Sequence, residues 1–202
     1  MTSFEQLQKL DQLGVDFAGL IFYENSKRFV GDKLNAQKSK ISQLEIKRVG
    51  VFVNAGIDQI EKEVKEYGLS YVQLHGDESV DFCRAVKDFV AVIKVIRVDE
   101  DTDLEGDLKV FEEACDYFLF DTDSKQFGGS GKQFNWDRLK RFNIKKPFFL
   151  SGGIGLDDVD KLKSFHHLML FAVDVNSRFE SEPGIKDTDK VEAFMNALNN
   201  VV

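Results

Sequence analysis

Short apolar runs alternate with amphipathic helical patterns along the whole chain, and this alternation limits the possible folds more than any other feature. The apolar runs are rich in Val, Ile and Phe and mostly lack polar–apolar alternation, which is typical of strands covered on both faces. They start at intervals of roughly twenty to thirty residues, the period of a strand–helix unit in a parallel sheet. The predicted strands are Val15–Phe22, Lys47–Val53, Ser70–Leu74, Ala91–Val98, Asp116–Asp121, Pro147–Ser151 and Leu168–Asp174.

Polar or glycine residues follow most of these runs directly, as in Asn54-Ala55-Gly56 and Ser151-Gly152-Gly153. In a closed (β/α)8 barrel the carboxyl ends of all strands converge on one face, where such enzymes place their active sites. An open doubly wound sheet would use only one or two of these ends. We therefore predict an α/β fold, a (β/α)8 TIM barrel, with residues 1–202 in a single domain.

One strand of that barrel is missing from the count. The pattern yields seven strands and eight helices. The chain begins with a helix that has Phe4, Leu7 and Leu10 on one side and Ser3 as a candidate N-cap. We therefore expect the first strand of the barrel to be absent from this chain.

The net charge and the cysteines limit which kinds of molecule the protein can bind and in which compartment it works. The net charge of -8 argues against a general affinity for nucleic acid or an anionic membrane, so an anionic ligand needs a local binding arrangement. Cys83 and Cys115 show neither metal-ligand spacing nor a disulfide framework, which suits a reducing cytosol. No apolar run is long enough to span a bilayer, and no signal peptide is recognisable. We expect a cytoplasmic protein that binds a small molecule.

Asp121 is the strongest catalytic candidate. It ends a buried strand, where a carboxylate is costly to desolvate, so a raised pKa would allow it to act as a general acid. A capping or salt-bridging aspartate is the alternative. Residues 128–131, Gly-Gly-Ser-Gly, lack the ending of a P-loop and are predicted to form a flexible lid over this acid.

Two loops are predicted to share a phosphate. Gly152 and Gly153 stand between a strand and a helix, where glycines let backbone N–H groups approach a phosphate closely. A plain tight turn is the alternative, but the end of the seventh barrel strand is a common phosphate position that the eighth strand shares. Asp174 ends the last strand, and Asn176-Ser177 can open a short helix toward the same anion.

Arg28 and His75 are weaker candidates when they are judged by position alone. An arginine in the loop after the first predicted strand can bind a carboxylate through two hydrogen bonds, although exposed loop arginines are common. His75 ends a strand, where it could contact a substrate or be merely structural. His166 and His167 are predicted to be surface residues at the opposite end of the barrel.

Five motifs, taken together and in order, resemble the phosphoribosylanthranilate isomerase family of tryptophan biosynthesis. They are KRVGVFVN, VQLHGDE, FDTDS…GGSGKQFNW, FFLSGGI and VDVNSRFE…PGIKD, and they span nearly the whole chain. The resemblance implies an isomerase that needs no metal and no cofactor. Its reaction is the Amadori rearrangement of N-(5′-phosphoribosyl)anthranilate to 1-(2-carboxyphenylamino)-1-deoxyribulose 5-phosphate.

The resemblance also implies roles for individual residues. Asp121 would be the general acid that opens the furanose ring, and Arg28 would hold the anthranilate. His75 and Asp174 would line the same pocket. The phosphate would bind at Gly152, Gly153, Asn176 and Ser177.

The chain departs from the family at its beginning. Family members start with a strand that reads like Lys-Ile-Cys-Gly-Met/Ile-Thr, whose cysteine is the general base, and Met1-Thr2 matches only its tail. We expect the protein to start upstream of Met1. The alternatives are a catalytically impaired phosphosugar-binding barrel and a different phosphosugar enzyme. The family contains monomers and homodimers, and the sequence does not choose between them.

Overall fold

The computed structural model describes residues 1–122 and 133–199. Within them, seven parallel strands form one sheet whose strand order follows the sequence. This order is that of a barrel wall, whereas a doubly wound sheet reverses its order at a switch point. The α/β barrel prediction and the count of seven strands are confirmed. The strands are β1 Phe17–Ile21, β2 Lys47–Phe52, β3 Tyr71–Leu74, β4 Ala91–Val98, β5 Tyr117–Thr122, β6 Phe148–Leu150 and β7 Leu170–Val173.

Helical segments connect consecutive strands. The α-helices are α1 Phe4–Gln12, α2 Lys38–Ile41, α3 Ile57–Tyr67, α4 Val80–Lys87, α5 Leu104–Phe111, α6 Val159–Ser164 and α7 Thr188–Asn199. Short 3-10 helices cover Gly31–Gln37, Trp136–Arg141, Leu156–Asp158 and Ser177–Phe179. No helix in these parts of the chain is long and apolar enough to cross a membrane.

Helix α1 forms as its sequence predicts. The Ser3 side chain accepts a hydrogen bond from the backbone N–H of Gln6, which satisfies one of the free donors of the first turn. Leu7 and Leu10 are buried, so the apolar stripe of the helix packs on the core. The predicted cap and the predicted stripe are therefore confirmed.

Both faces of the sheet are apolar, which explains why the strand sequences do not alternate. On β4, Val92 and Ile96 belong to the large cluster between sheet and helices. Ile93 and Val95 belong to a smaller cluster on the inner face. Aromatic rings surround this inner cluster, with centroids 5.0 to 5.8 Å apart along the contacts Phe17–Phe149, Phe17–Tyr71, Tyr71–Tyr117, Tyr117–Phe149 and Tyr117–Phe171.

Strands β1 and β7 stand at the two ends of the sheet order. The start of the chain lies beside β1, where the Met1 amino group donates to the Gly19 carbonyl at 3.0 Å. A two-stranded antiparallel hairpin, β8 Glu180–Glu182 and β9 Ile185–Lys186, follows β7. The Thr2 hydroxyl donates to the carbonyl of Gly184 in that hairpin, so the first residues also contact the hairpin.

Two sequence predictions need correction. The last strand begins at Leu170 rather than at Leu168, whose side chain is almost fully exposed. His166 is exposed, as predicted, but His167 is half-buried and is not a simple surface residue. The His167 ring packs edge-on against Phe148, and its Nδ1 accepts a hydrogen bond from the Met169 N–H at 3.1 Å. Packing on neighbouring aromatic residues therefore holds this imidazole.

Candidate active site

A cavity of about 650 Å³ opens at the carboxyl ends of the strands. Inward-facing side chains of the sheet form its lower wall, and the loops after the strands form its rim. It brings together all the site residues that the sequence predicts, namely Arg28, His75, Asp121, Gly152, Gly153, Asp174, Asn176 and Ser177. The residues predicted as a lid, 128–131, lie outside the described residues.

Asp121 enters this cavity from the inner face of β5. Its Oδ1 accepts a hydrogen bond from the Thr122 N–H at 2.9 Å. Burial and, second, the nearby carboxylate of Asp174 raise the pKa of Asp121 to about 6. Near neutral pH a fraction of this carboxyl group therefore keeps its proton, which a general acid needs.

His75 faces Asp121 from the end of β3. Burial, assisted by the positive charges of Arg97 and Lys94, lowers the pKa of His75 to about 4, so the imidazole is neutral. The Gln73 amide Nε2 lies 3.1 Å from His75 Nδ1. Because an amide NH2 group can only donate, Nδ1 accepts and the proton resides on Nε2. That Nε2 is 3.7 Å from Asp121 Oδ2, a polar contact longer than a hydrogen bond.

Asp174 follows β7 and lies at the same edge of the sheet. Its Oδ2 accepts a hydrogen bond from the Ser151 hydroxyl at 2.9 Å. Burial raises the pKa of Asp174, although the Ser151 hydrogen bond and the charge of Lys186 oppose that shift. The two buried carboxyl groups, Asp121 and Asp174, therefore disfavour each other's ionisation.

The loop after β6 needs glycine because of its backbone and its neighbours. Gly152 has φ +99° and Gly153 has φ +67°, values that residues with a side chain rarely adopt. A Cβ at Gly152 would lie 2.9 Å from the Thr122 nitrogen and 3.3 Å from Asp121 Oδ1. The glycine loop therefore packs directly against the acid, and the two features form one site.

Asn176 precedes the short 3-10 helix Ser177–Phe179, as predicted. Both its backbone oxygen and its side-chain Oδ1 accept hydrogen bonds from Lys186 Nζ, at 3.0 and 2.6 Å. The loop reaches the same cavity wall as Gly152 and Gly153. The phosphate-binding roles of these residues stay predictions.

Arg28 also lines the cavity and is bound by Glu180. The Arg28 Nε donates to both carboxylate oxygens of Glu180, at 3.0 and 2.8 Å, and its Nη2 lies 2.7 Å from Oε2. Sequence reasoning did not identify Glu180 or Lys186 as parts of the site. Both belong to the motif VDVNSRFE…PGIKD. The opposite charges of these two residues, six positions apart, were the sequence signal that could have indicated their pairing.

A second buried ion pair supports the loop that carries His75. Lys94 Nζ donates to Glu78 Oε2 and to the Gly76 carbonyl, both at 2.8 Å. Glu78 Oε1 in turn accepts from the N–H groups of Gly76 and Asn54, both at 3.0 Å. The sequence signal for this pair is a lysine in the middle of the apolar strand AVIKVIRV.

Neither cysteine belongs to the cavity. Cys83 lies in α4 and Cys115 precedes β5, and both are buried. Burial raises the pKa of the Cys83 thiol to about 11 and that of Cys115 to about 12. Buried thiols with raised pKa values are poor bases at neutral pH. The prediction that neither cysteine reaches the mouth of the barrel agrees with this geometry.

The fold and the site define a barrel-type enzyme that has a buried acid beside a glycine loop at the carboxyl ends of its strands. The family model for N-(5′-phosphoribosyl)anthranilate (PRA) isomerase matches residues 1–197. The chain belongs to the PRA isomerase family.

Individual relatives show the same similarity. The N-(5′-phosphoribosyl)anthranilate isomerase of Parabacteroides distasonis is 39% identical over 196 residues, which cover 96% of this chain and 88% of the relative. The crystal structure of phosphoribosyl anthranilate isomerase from Thermotoga maritima superposes with a TM-score of 0.84 at 31% identity, covering 100% of this chain and 96% of the other. A phosphoribosyl anthranilate isomerase in complex with reduced 1-(o-carboxyphenylamino)-1-deoxyribulose 5-phosphate has a TM-score of 0.79 at 28% identity, with the same coverages.

Proposed function

We propose that this chain isomerises N-(5′-phosphoribosyl)anthranilate to 1-(2-carboxyphenylamino)-1-deoxyribulose 5-phosphate in tryptophan biosynthesis. The main support is that Asp121 and the Gly152-Gly153 loop open into one cavity. Membership of the isomerase family and the complex of a related isomerase with a reduced form of this product support the same reaction.

In the first half of the reaction Asp121 donates its proton to the furanose ring oxygen. The C1′–O bond breaks, and the electron pair of the anthranilate nitrogen forms the C1′=N bond of a Schiff base. Asp121 suits this step because burial and the charge of Asp174 raise its pKa to about 6. The neutral imidazole of His75, 3.7 Å away, does not remove the proton from it.

In the second half a general base removes the C2′ proton, and the resulting enolamine tautomerises to the ketone. The family resemblance assigns this base to a cysteine in a strand that precedes the residues matching Met1-Thr2. Cys83 and Cys115 are buried outside the cavity, so we assign the role to neither of them.

The substrate carries two anionic groups, and the cavity offers a place for each. The phosphate binds at the loops of Gly152, Gly153, Asn176 and Ser177, and the anthranilate carboxylate binds Arg28, whose planar guanidinium suits a carboxylate. His75 and Asp174 contact the ribose chain between them. The enzyme works in the cytoplasm on this free phosphosugar, without metal or cofactor, as a monomer or a homodimer.

The test follows the loss of substrate fluorescence in the presence of the purified protein. We expect Asp121→Asn to abolish turnover and to keep the affinity for reduced 1-(o-carboxyphenylamino)-1-deoxyribulose 5-phosphate. The control is Asp81→Asn, an exposed aspartate on α4, which should match the unaltered protein. Turnover that survives in Asp121→Asn would disprove the assignment of the acid.

The same assay separates a second candidate function. A protein that binds the reduced product analogue but does not turn over the substrate would be a catalytically impaired phosphosugar-binding barrel. Membership of the isomerase family and the isomerase names of the relatives do not favour this candidate.

A further inference from the structure

The hairpin β8–β9 places a buried carboxylate next to a buried ammonium group. Glu180 and Lys186 are paired residues across the hairpin, and their side chains are 4% and 11% exposed. Glu180 Oε1 lies 3.2 Å from Lys186 Nζ and also accepts the Gly184 N–H at 3.1 Å. Even a paired and hydrogen-bonded buried ion pair adds little stability, because both charges lose their hydration. We therefore expect this pair to have a role other than stability.

Glu180 fixes the direction in which Arg28 points. Its two carboxylate oxygens accept hydrogen bonds from Nε and Nη2 of the Arg28 guanidinium, at distances from 2.7 to 3.0 Å. Among the described residues, Nη1 has no such partner. A guanidinium has donors on both edges, so a carboxylate held on one edge leaves the other edge for a second carboxylate.

Lys186 fixes the other anion loop in the same way. Its ammonium group has three N–H donors, and three acceptors lie within reach: the Asn176 carbonyl, the Asn176 Oδ1 and Glu180 Oε1. All its donors are therefore used within the protein. Although Lys186 lines the cavity, it has no donor left for a ligand and acts through Asn176.

We infer that Glu180 and Lys186 are positioning residues that connect the two anion-binding ends of the cavity. The connection runs Arg28–Glu180–Lys186–Asn176, and every step of it is a direct contact between side chains. This inference rests on the proposed function, because it takes Arg28 as the carboxylate site and Asn176-Ser177 as part of the phosphate site. The hairpin then sets the distance between the two groups that hold the substrate.

The test uses the two halves of the substrate as separate probes, inorganic phosphate and free anthranilate, each titrated calorimetrically into the full chain. Positioning and simple charge predict opposite results for Glu180→Gln. If Glu180 only subtracted charge from the cavity, its removal would tighten the binding of both anions. If it positions Arg28 and Lys186, its removal weakens both, and we expect about a tenfold loss of anthranilate affinity.

Lys186→Arg tests the second step while it preserves the charge. We expect it to weaken phosphate about tenfold and to leave anthranilate within about twofold, because a guanidinium does not reproduce the three directions of the ammonium. The matched controls are Glu182→Gln on the same hairpin and Lys190→Arg on α7, both outside the cavity lining, and neither should change either affinity.

The outcomes separate this inference from the proposed function. If the unaltered chain binds neither probe, the proposed function fails. If it binds both and Glu180→Gln tightens anthranilate, or Lys186→Arg leaves phosphate unchanged, the positioning role is wrong. Should Glu180→Gln fail to fold in a thermal unfolding control, Lys186→Arg alone decides.

Discussion

His75 Nε2 lies 3.7 Å from Asp121 Oδ2, and the pKa values of the two groups are displaced in opposite directions. Burial lowers the pKa of the imidazole to about 4 and raises that of the carboxyl group to about 6. Between these values a neutral imidazole faces a largely protonated carboxyl group. With ordinary pKa values the imidazole would carry the proton and the carboxyl group would be ionised, so Asp121 would have no proton to donate.

The pH dependence of kcat/KM should reveal the ionisation of Asp121. Because Asp121 works in its protonated form, kcat/KM should fall as the pH rises through about 6. Asp174→Asn removes a neighbouring negative charge, so the falling limb should move to lower pH. Asp107→Asn is the control, since burial also raises the pKa of Asp107 but its side chain lies outside the cavity. If the falling limb of kcat/KM lies at the same pH in Asp174→Asn as in the unaltered protein, the charge of Asp174 does not raise the pKa of Asp121.

Asp121 should also lower the stability of the fold. Its folded pKa of about 6 exceeds the ordinary 3.8, so the folded state binds the proton more tightly and stability falls as the pH rises from about 4 to 6. At pH 8 Asp121→Asn should therefore raise the free energy of unfolding, by at most ~3 kcal/mol for a shift of roughly two units. Urea unfolding at pH 8 and pH 4.5 measures this, and the gain should shrink at the lower pH.

Comparing Gly152→Ala with Gly14→Ala separates the cost of an unfavourable backbone conformation from the cost of a steric collision. Both residues have positive φ, but a Cβ at Gly14 would meet no atom within 4 Å, whereas one at Gly152 would collide with Thr122. Gly14→Ala should lose about 1 kcal/mol of stability and keep full turnover. Gly152→Ala should lose more and also reduce kcat/KM at least tenfold, because it displaces the segment that holds Asp121. Equal kcat/KM values for the two variants would show that the collision with Thr122 does not displace Asp121.

The buried pair Lys94–Glu78 should be costly to break from one side. Lys94→Met leaves the Glu78 carboxylate buried without a cation, which typically costs about 3–5 kcal/mol. Adding Glu78→Gln to that variant should recover part of the loss. Lys65→Met, which removes an exposed pair with Glu61, should cost less than about 0.5 kcal/mol. Denaturant unfolding of the four proteins measures these differences, and a mild effect of Lys94→Met alone would mean that water reaches Glu78.

A chain in which Lys-Ile-Cys-Gly precedes Met1 tests the base. The Met1 amino group already donates to the Gly19 carbonyl, so the added residues should extend along β1. Turnover should be about 100-fold higher with this cysteine than with serine in its place, since general bases commonly contribute that much. Both extended chains should unfold at a higher temperature than the chain starting at Met1. Equal turnover of the cysteine and serine forms would exclude the cysteine as the base.

Local signals in the sequence were sufficient for the strands and for the residues directly after them. Apolar runs located all seven strands to within two residues at each end, because burial on both faces leaves an unbroken pattern. Asp121 and Gly152 could be singled out because Asp121 ends such a run and Gly152 directly follows one. Arg28 and Glu180 are 152 residues apart, and no local pattern indicates which charges will meet across that distance. The burial of His167 likewise depends on a residue from another element, since its ring packs on Phe148 of β6.

The aromatic rings on the inner face of the sheet determine the polarity of the lower part of the cavity. Phe17 and Phe149 belong both to the ring cluster and to the cavity lining, so the cluster forms a floor beneath the reacting groups. This apolar floor keeps water away from the lower side of Asp121, and such burial is the main cause of its raised pKa.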